Sequence, residues 1–391
     1  MALNVAFVRA GRATPWEYGI LTELERLGYN PFFICSSYDR AVPIKYQRKG
    51  WNLRSSVFLD RILNRSMMAK GFSYAFKIRK LEYLGAFFHP SKLFSGIDIL
   101  HLADESYLPA YQALKYAKRS LMTFWENIPF NFDIDYKVPT RTLRPKVLNG
   151  ISHFFPVSDA AKQTLLWHGI DEERMTKVHP GIDLSLFKRS DDVQKFRDSI
   201  SAGSRSIILG VSRLEYFKGL TFVLRSLKEL KELNRDFLYV HVGTGPQRFV
   251  NYLHGTIQKF GLMDNVRLLG GIEYTQLPLI YSSSLVTVLP SLPTFEWEEQ
   301  MGFSILEAMA CGSFPVVSDT PSLAEVVPGK LGRRIPAGNH KALTEALLEV
   351  MDDEKLARAA VSSGPLHVKE NYNSALTAAS YSKTYQKVFD Q

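Results

Sequence analysis

Short apolar runs alternate with segments of helical periodicity along the first half of the chain. The run at residues 4–9 is followed by a helical pattern over 16–27, which Gly28 ends, and by a second apolar run at 31–35. Strand, glycine-containing turn, helix and strand in this order are typical of a parallel α/β unit. Further elements of the same kind are predicted as strands over 97–102, 120–124 and 152–157 and as helices over 108–117 and 160–168.

A polar stretch of mixed charges and serines, residues 188–206, interrupts this pattern, and a second α/β series follows it. Its strands are predicted over 206–211, 237–242, 266–269, 285–289 and 315–317, and a final helix over 373–389. We therefore predict two doubly wound α/β domains, 1–185 and 186–372, followed by a C-terminal helix, 373–391. Ligands of such sheets bind beyond the carboxyl ends of the strands, so we expect the site in a cleft between the domains.

Composition excludes several classes of protein. The 391 residues are 46% hydrophobic and 22% charged, which excludes a mostly disordered or fibrous chain. The two cysteines, Cys35 and Cys311, cannot build a disulfide framework and indicate a reducing compartment. No apolar run reaches the ~18–20 residues that cross a bilayer, and residues 1–9 lack the features of a signal peptide. We expect a cytoplasmic protein.

The positive charge is concentrated in the first half of the chain. Residues 1–180 carry 25 basic and 16 acidic side chains, whereas residues 181–391 carry 23 of each. Within the segment 40–92, 12 basic residues are interleaved with aromatic ones. This pattern fits a solvated helix pair with its aromatic side chains in the core, an anionic membrane surface at the inner face of the membrane, or nucleic acid. No recognisable nucleic-acid module accompanies the segment, so nucleic acid is not expected.

The most informative segment holds two glutamates, Glu299 and Glu307, separated by seven residues. Glu299 lies in a predicted loop, Gly302 begins a helix, and Glu307 lies about one turn inside it. A helix N-terminus presents unpaired N–H groups and a positive dipole end, which suits phosphate. We expect Glu299 to bind sugar hydroxyls, Glu307 to bind ribose hydroxyls, and the first amides to hold a diphosphate. These amides belong to Phe303, Ser304 and Ile305. The alternative is an amphipathic helix preceded by an acidic loop.

A pair of basic residues, Arg213 and Lys218, lies between a predicted strand and the next helix. They are five residues apart around a tight turn, so both can point at one site. Arginine binds phosphate with a planar fork and lysine with a compact charge. We expect the pair to neutralise a leaving diphosphate. The alternative is two ordinary surface bases.

Three glycines are further candidates for donor binding. Gly181 follows His179-Pro180, and a glycine there allows close backbone approach or a positive φ. Gly243 begins a Gly-Thr-Gly-Pro turn after a strand, and Gly11 follows the first strand. A Gly-x-Gly turn is often only a turn, so these glycines are weaker candidates than the glutamates.

Together these motifs resemble the family 4 retaining glycosyltransferases of the GT-B fold. The resemblance is best over residues 206–338, where the basic pair, the Gly-Thr-Gly-Pro turn, Leu-Pro-Ser, the paired glutamates and Pro-Val-Val follow in order. It implies two Rossmann-like domains that face each other across a cleft, with the last helix crossing back to the first domain. It also implies that the N-terminal domain binds the acceptor and the C-terminal domain a nucleotide-diphosphate sugar.

The activity implied by the resemblance is retaining transfer of a sugar to a hydroxyl acceptor, such as a glycan, a glycolipid or a lipid-linked sugar. No cofactor is implied, because the nucleotide-diphosphate sugar is the donor substrate. Arg213, Lys218 and Glu299 would be the catalytic residues.

The chain departs from the family pattern at two places. Many members carry a Gly-Gly loop after the first strand, where this chain has only Gly11. Many also carry a histidine near the end of the fourth strand that contacts the donor sugar, where this chain has Trp125 or Glu126. His101 is a nearby candidate, although a lone histidine after a strand is more often a packing residue. These three residues are the candidates for donor-sugar or acceptor contacts.

Asp133 and Asp135 resemble the Asp-x-Asp metal motif of the other large glycosyltransferase fold, GT-A. They lie far in sequence from the phosphate candidates, and none of the nine histidines forms a spaced ligand cluster. We therefore expect no metal.

Three alternative functions stay open at this point. They are another GT-B enzyme such as a nucleotide-sugar epimerase, a non-catalytic nucleotide-sugar-binding protein, and a nucleic-acid-modifying enzyme that uses the basic half. Fold alone does not choose among them.

Overall fold

The structure is a computed structural model, and it describes residues 2–9, 15–35, 42–49, 89–103, 107–117, 119–129, 140–295 and 297–389. The chain forms two compact units, one of Met1–Gly181 with Ser374–Gln391 and the other of Ile182–Asn373. Three sequence predictions lie outside the described residues: Gly11, the middle of the basic segment (50–88), and the Asp133-x-Asp135 motif.

The first unit is built on a parallel six-stranded sheet in the order β3-β2-β1-β4-β5-β6. The strands are β1 (Asn4–Val8), β2 (Asn30–Cys35), β3 (Gln47–Lys49), β4 (Ile99–Leu102), β5 (Ser120–Phe124) and β6 (His153–Pro156). Strands β4, β5 and β6 are buried along their whole length. Continuous buried strands of this kind belong to parallel sheets that are covered on both faces.

Helices connect these strands. They are α1 (Pro15–Arg26), α2 (Pro90–Leu93), α3 (Tyr107–Ala113), α4 (Thr140–Gly150) and α5 (Asp159–Trp167). Helix α5 begins after its N-cap, Ser158, whose side chain accepts a hydrogen bond from the Ala161 N–H at 3.0 Å. Such a cap satisfies one of the unpaired donors of the first turn.

The second unit repeats the arrangement with a parallel sheet in the order β12-β11-β10-β7-β8-β9. Its strands are β7 (Ser206–Val211), β8 (Phe237–Val242), β9 (Val266–Gly270), β10 (Val286–Leu289), β11 (Phe314–Ser318) and β12 (Arg333–Ile335). Its helices are α6 (Gln194–Ser199), α7 (Leu220–Glu232), α8 (Gln247–Lys259), α9 (Leu277–Ser283), α10 (Phe303–Ala310), α11 (Pro321–Val326), α12 (His340–Asp352) and α13 (Glu354–Asn371). The predicted fold class, two doubly wound parallel α/β units, is confirmed.

The strand orders locate a switch point in each sheet. In the second unit the chain runs from β7 to β8 and β9 on one side, and then returns to β10 on the other side of β7. The loops that follow β7 and β10 therefore leave the sheet in opposite directions and open a crevice at the carboxyl ends. The predicted basic pair follows β7, and Ser291 and Glu299 follow β10.

The last helix, α14 (Ser374–Phe389), belongs to the first unit. It contributes Ala378, Tyr381 and Tyr385 to the core formed by α1 and the sheet. The Gly181 N–H donates to Thr377 Oγ1 at 2.8 Å, and this hydroxyl donates to the His179 carbonyl at 2.9 Å. The helix is therefore part of the hydrophobic core of the first unit and is tied to it by hydrogen bonds.

A buried polar network joins α14 to the sheet. His101 Nδ1 lies 2.5 Å from Tyr385 Oη, and His101 Nε2 lies 2.7 Å from Thr123 Oγ1. Tyr381 Oη lies 2.8 Å from the same Thr123 oxygen. His101 stacks on Phe7 with ring centroids 4.5 Å apart, and burial lowers its pKa to about 3. The imidazole is therefore neutral at physiological pH and its hydrogen bonds do not titrate there.

None of the helices within the described ranges is long and apolar enough to span a bilayer.

Tyr385→Phe is predicted to destabilise the first unit, because it leaves one nitrogen of the buried His101 without a partner. The expected loss is about 1–3 kcal/mol in the free energy of unfolding. The matched control is Tyr116→Phe, since the Tyr116 side chain is exposed, and its effect should stay within about 0.5 kcal/mol. Denaturant unfolding followed by circular dichroism compares the two. Equal effects would contradict a stabilising role for the network.

Candidate active site

The centre of the candidate site is an ion pair between Lys218 and Glu299. Lys218 Nζ lies 2.7 Å from Glu299 Oε2, and both side chains are about 10% exposed, at 10% and 11%. Ser291 Oγ donates to the same carboxylate oxygen at 2.7 Å. Lys218 lies on the short helical turn after β7, and Ser291 and Glu299 lie in the loop after β10. Residues 81 positions apart in the chain are thus brought to one point of the crevice.

Aromatic side chains position the lysine. Lys218 Nζ lies 4.6 Å from the ring centroid of Trp297, which in turn packs on Phe217 at 4.3 Å between centroids. A cation over the face of an indole ring is attracted by its quadrupole. The side-chain nitrogen of Lys218 is therefore held in a defined position.

Arg213 lies beside this pair in a more open position. Its side chain is 63% exposed, its Nη1 donates to Glu215 Oε1 at 2.7 Å, and its guanidinium lies 5.6 Å from the Phe217 ring centroid. The ion pair with Glu215 is at the surface, where such pairs contribute little and break at little cost. Arg213 can therefore turn toward an anionic ligand.

Gly219 is required where the turn after Lys218 meets the loop after β10. Its φ is +74°, and a Cβ at this position would lie 1.9 Å from the Pro290 carbonyl oxygen. No L-residue fits there without moving the backbone of one loop. This close contact brings the lysine turn and the Glu299 loop together.

Helix α10 begins directly after Gly302, which has a φ of +63° and would carry a Cβ 2.6 Å from a Leu323 methyl carbon. Ser322 Oγ on α11 donates to the Glu299 carbonyl, which fixes the loop before the helix. The Ile305 N–H donates to the Gly302 carbonyl at 2.8 Å. This amide is satisfied within the helix, so it is not the unpaired donor that the sequence predicted. Phe303 and Ser304 stay predicted phosphate contacts.

Glu307 is buried, with 4% of its surface exposed. Tyr274 donates to Oε1 at 2.9 Å and Tyr281 donates to Oε2 at 2.7 Å. Burial raises the pKa of the carboxyl to about 7, although both tyrosine hydroxyls act in the opposite direction. A ribose hydroxyl would have to share these oxygens with the tyrosines, and the predicted ribose contact stays a prediction.

The backbone N–H groups of the two other candidate glycines, Gly243 and Gly181, donate hydrogen bonds to other groups of the protein. The Gly243 N–H donates to the Gly270 carbonyl at 2.8 Å, which ties the end of β8 to the end of β9. The Gly181 N–H donates to Thr377 Oγ1 and its φ is not positive, so of the two expectations for this glycine only close backbone approach stays open. Both amides are therefore unavailable to a phosphate, although Gly243 still lies at the carboxyl edge of the second sheet.

His101 was a candidate for sugar or acceptor contact, and the structure corrects this assignment. The side chain is 0% exposed and both ring nitrogens are engaged in the network with Tyr385 and Thr123. Its β4 position faces the core between the sheet and α14, where no ligand can reach it. It is a packing residue of the first unit.

Trp125 and Glu126 follow β5 at the carboxyl edge of the first sheet. Trp125 is 7% exposed, its indole N–H donates to the Ala103 carbonyl at 2.9 Å, and its ring packs edge-on against Trp16. Glu126 accepts from Arg144 Nη2 at 2.9 Å on both oxygens. Trp125 is therefore packed inside the first unit at this edge of the sheet, whereas Glu126 lies in a largely buried ion pair with Arg144. Contact with a sugar stays a prediction for both.

Sequence reasoning missed the residues that hold the site in shape. Ser291, Trp297, Tyr274 and Tyr281 each contact a predicted functional side chain. Ser291 could have been found, because it ends the Leu-Pro-Ser motif two residues beyond β10. The tyrosines carry no comparable signal, because their distance from Glu307 in sequence is unrelated to their contact in space.

No group of three or more His, Cys, Asp or Glu side chains that could hold a metal ion occurs in the described part of the chain.

Two solved structures illustrate the class of fold. The chain superposes on HepE of Anabaena, described as a complex with UDP and glucose, with a TM-score of 0.76 over 98% of this chain and all of that one, at 14% identity. Sucrose-phosphate synthase of Thermosynechococcus elongatus matches with a TM-score of 0.76 over 99% of each chain, at 18% identity. The fold is therefore GT-B.

Two family models cover most of the sequence. The model described as glycosyl transferases group 1 matches residues 192–366, and the model described as glycosyltransferase family 4 matches residues 18–186. The chain belongs to the group 1, family 4 glycosyltransferases, as the motifs predicted.

The curated relatives match over part of their length. The GDP-mannose-dependent alpha-(1-6)-phosphatidylinositol monomannoside mannosyltransferase of Mycolicibacterium smegmatis is 28% identical over 198 residues, which is 49% of this chain and 51% of the relative. The D-inositol 3-phosphate glycosyltransferase 2 of Catenulispora acidiphila is 28% identical over 187 residues, 46% and 42% respectively. The alignment thus spans about half the length of these relatives.

Glu307 is predicted to make stability fall as the pH rises. Its pKa of about 7 in the folded chain lies above the ordinary value of 4.5 in the unfolded chain. Its contribution is therefore fully present below pH ~4.5 and is lost as the pH passes through about 7. Glu307→Gln should remove this loss. The unfolding free energies of wild type and variant are measured between pH ~5 and ~8. The stability of the wild type relative to that of the variant should fall across this range. A constant difference would mean that the carboxyl does not titrate there.

Proposed function

We propose that the chain transfers a sugar from a nucleotide-diphosphate sugar to a hydroxyl acceptor with retention of anomeric configuration and without a metal ion. One observation carries the proposal: Lys218, held by Glu299 and Ser291, lies at the switch point of the second sheet, where the loops after β7 and β10 meet. A mostly buried cation in such a crevice suits the diphosphate of a nucleotide-sugar.

The proposed role of the site is to stabilise negative charge on a leaving diphosphate. As the bond between the anomeric carbon and the diphosphate oxygen breaks, the sugar acquires oxocarbenium character and the diphosphate gains charge. Lys218, Arg213 and the first amides of α10 would stabilise that charge. Preorganised donors of this kind are commonly worth several kcal/mol in the transition state.

Retention of configuration needs the acceptor oxygen to attack from the face that the diphosphate leaves. In this mechanism the acceptor hydroxyl gives its proton to the departing phosphate oxygen as the new bond forms. Glu299 would orient the sugar through its hydroxyl groups rather than act as a nucleophile, because its carboxylate is paired with Lys218 at 2.7 Å.

The acceptor class is proposed from the relatives and from the charge of the first unit. The printed names of two relatives specify inositol phosphate and phosphatidylinositol monomannoside chemistry. The basic and aromatic segment 40–92 is suited to an anionic membrane surface. We therefore propose a glycan, glycolipid or lipid-linked acceptor and a peripheral location at the inner face of the membrane.

Lys218→Ala is predicted to reduce nucleoside diphosphate release by about 10²–10³-fold, because charge on the leaving group is no longer neutralised. Release is measured across a panel of nucleotide-sugars, which also identifies the donor. Lys228→Ala is the matched control, since Lys228 on α7 lies in an exposed pair with Glu232, and its rate should stay within about twofold.

Near-normal release by Lys218→Ala would remove the phosphate role of the lysine. Turnover of a donor without any acceptor would instead favour an epimerase that uses the same site. Proton NMR of the transfer product, read at the anomeric position, tests retention directly, and an inverted product would exclude the same-face mechanism.

A chelator is predicted to leave transfer unchanged, because the proposed charge stabilisation uses only protein groups. Rates are compared with and without EDTA after the protein has been dialysed against it. Strong inhibition that added magnesium or manganese reverses would instead support a metal at Asp133 and Asp135.

A further inference from the structure

A second cavity lies in the Ile182–Asn373 unit, at the opposite edge of the sheet from the candidate active site. Its volume is about 440 Å³, within the range of small-molecule sites. Three of its lining residues lie at the amino ends of strands. Ser206 begins β7, Leu285 directly precedes β10, and Gly312 lies shortly before β11. In a parallel sheet, the amino ends of the strands are at the edge away from the carboxyl ends. The cavity is therefore separate from Lys218 and Glu299.

Three arginines, Arg189, Arg197 and Arg205, line this cavity, and none of its lining residues carries a carboxylate. In the described part of the chain, none of the three is in an ion pair with a carboxylate. Residues 181–391 carry 23 basic and 23 acidic side chains, and other arginines of the unit pair at the surface, as Arg235 does with Asp352. Positive charge is thus concentrated at this cavity although the unit as a whole is nearly neutral.

Two of the arginines are fixed in place by groups that do not cancel their charge. Arg197 Nη2 donates to the carbonyls of Gly203 and Arg205 at 2.8 Å each. Arg205 donates to the carbonyls of Ala202 at 3.1 Å and Asp264 at 2.9 Å. Carbonyl oxygens hold a guanidinium by hydrogen bonds without neutralising it. The cations are therefore positioned before any ligand arrives, which lowers the ordering cost of binding.

Arg189 differs from the other two because its guanidinium makes no hydrogen bond within the described residues. It extends over Gly312, where an added Cβ would lie 3.1 Å from Arg189 Nη1. All its N–H donors can therefore turn to a ligand in the cavity. Ser204 and Ser206 also line the wall and supply hydroxyl donors.

We propose that this cavity is a second anion site, which binds a phosphate group of a ligand other than the sugar donor. A cluster of guanidinium forks with neighbouring hydroxyls matches the tetrahedral oxygens of phosphate. The phosphate belongs either to a free phosphorylated small molecule or to a lipid headgroup, and these two sources share the chemistry of the site.

The test is calorimetric titration of the full chain with inorganic phosphate, comparing wild type with Arg189→Glu. This variant breaks no side-chain hydrogen bond among the residues that the structure describes, and it should weaken phosphate binding at least about tenfold. Arg225→Glu is the matched control, because Arg225 is an exposed arginine on α7 that does not line the cavity, and its affinity should be that of wild type. In Lys218→Ala, which lacks the proposed diphosphate contact of the active site, the Arg189-dependent part of the binding should remain.

Binding lost in Lys218→Ala and kept in Arg189→Glu would mean that phosphate occupies only the candidate active site, and would overturn the proposal. Equal weakening by Arg189→Glu and Arg225→Glu would reduce it to a general charge effect and overturn it as well. If free phosphate does not bind wild type, flotation with phosphatidylcholine vesicles, with and without phosphatidic acid, tests the lipid source. Arg189-dependent flotation with phosphatidic acid would support a headgroup site, and failure of both probes would overturn the proposal.

Discussion

The organisation of the second unit depends on one constraint, that all six strands of its sheet run parallel. Parallel pairing forces each strand to be followed by a crossover, so the loops after every strand lie at one edge. At the switch point between β7 and β10, these loops bring together Lys218 and Glu299, which are distant in sequence. The contact of Gly219 with the Pro290 carbonyl shows how closely the loops approach. If β7 and β10 ran antiparallel to each other, the loops after them would lie at opposite edges of the sheet and these residues would be apart.

The two glutamates of the motif differ in their surroundings, although only seven residues separate them. Glu299 is paired with the Lys218 ammonium, whose Nζ lies 2.7 Å from its carboxylate. Glu307 has only neutral donors, Tyr274 and Tyr281, and burial raises its pKa to about 7. Identical side chains thus serve as the partner of a lysine at one position and as a buried carboxyl with a raised pKa at the other.

Much of the fold could be predicted from the sequence because the buried strands are continuous apolar runs. The strands 120–124, 206–211 and 237–242 agree with their predicted bounds. Helices α8, α12 and α13 and strand β12 were not predicted. Strand β12 has only three residues, two of them arginines, so no apolar run marks it. His101 was a candidate for ligand contact, because no sequence signal separates a buried, hydrogen-bonded histidine after apolar residues from an exposed one.

The position of α14 in the core of the first unit has a consequence for synthesis of the protein. Tyr381 and Tyr385 fill space beside β1 and β4, yet they are made after the whole second unit. Roughly 190 residues separate Gly181 from this helix, which takes about 10–40 s at the usual rates of translation. During that interval the earlier sheet has an uncovered apolar face while the later unit can already fold. The N-terminal unit is therefore the last to be completed, and its nascent sheet is the part of the chain that a chaperone would have to protect.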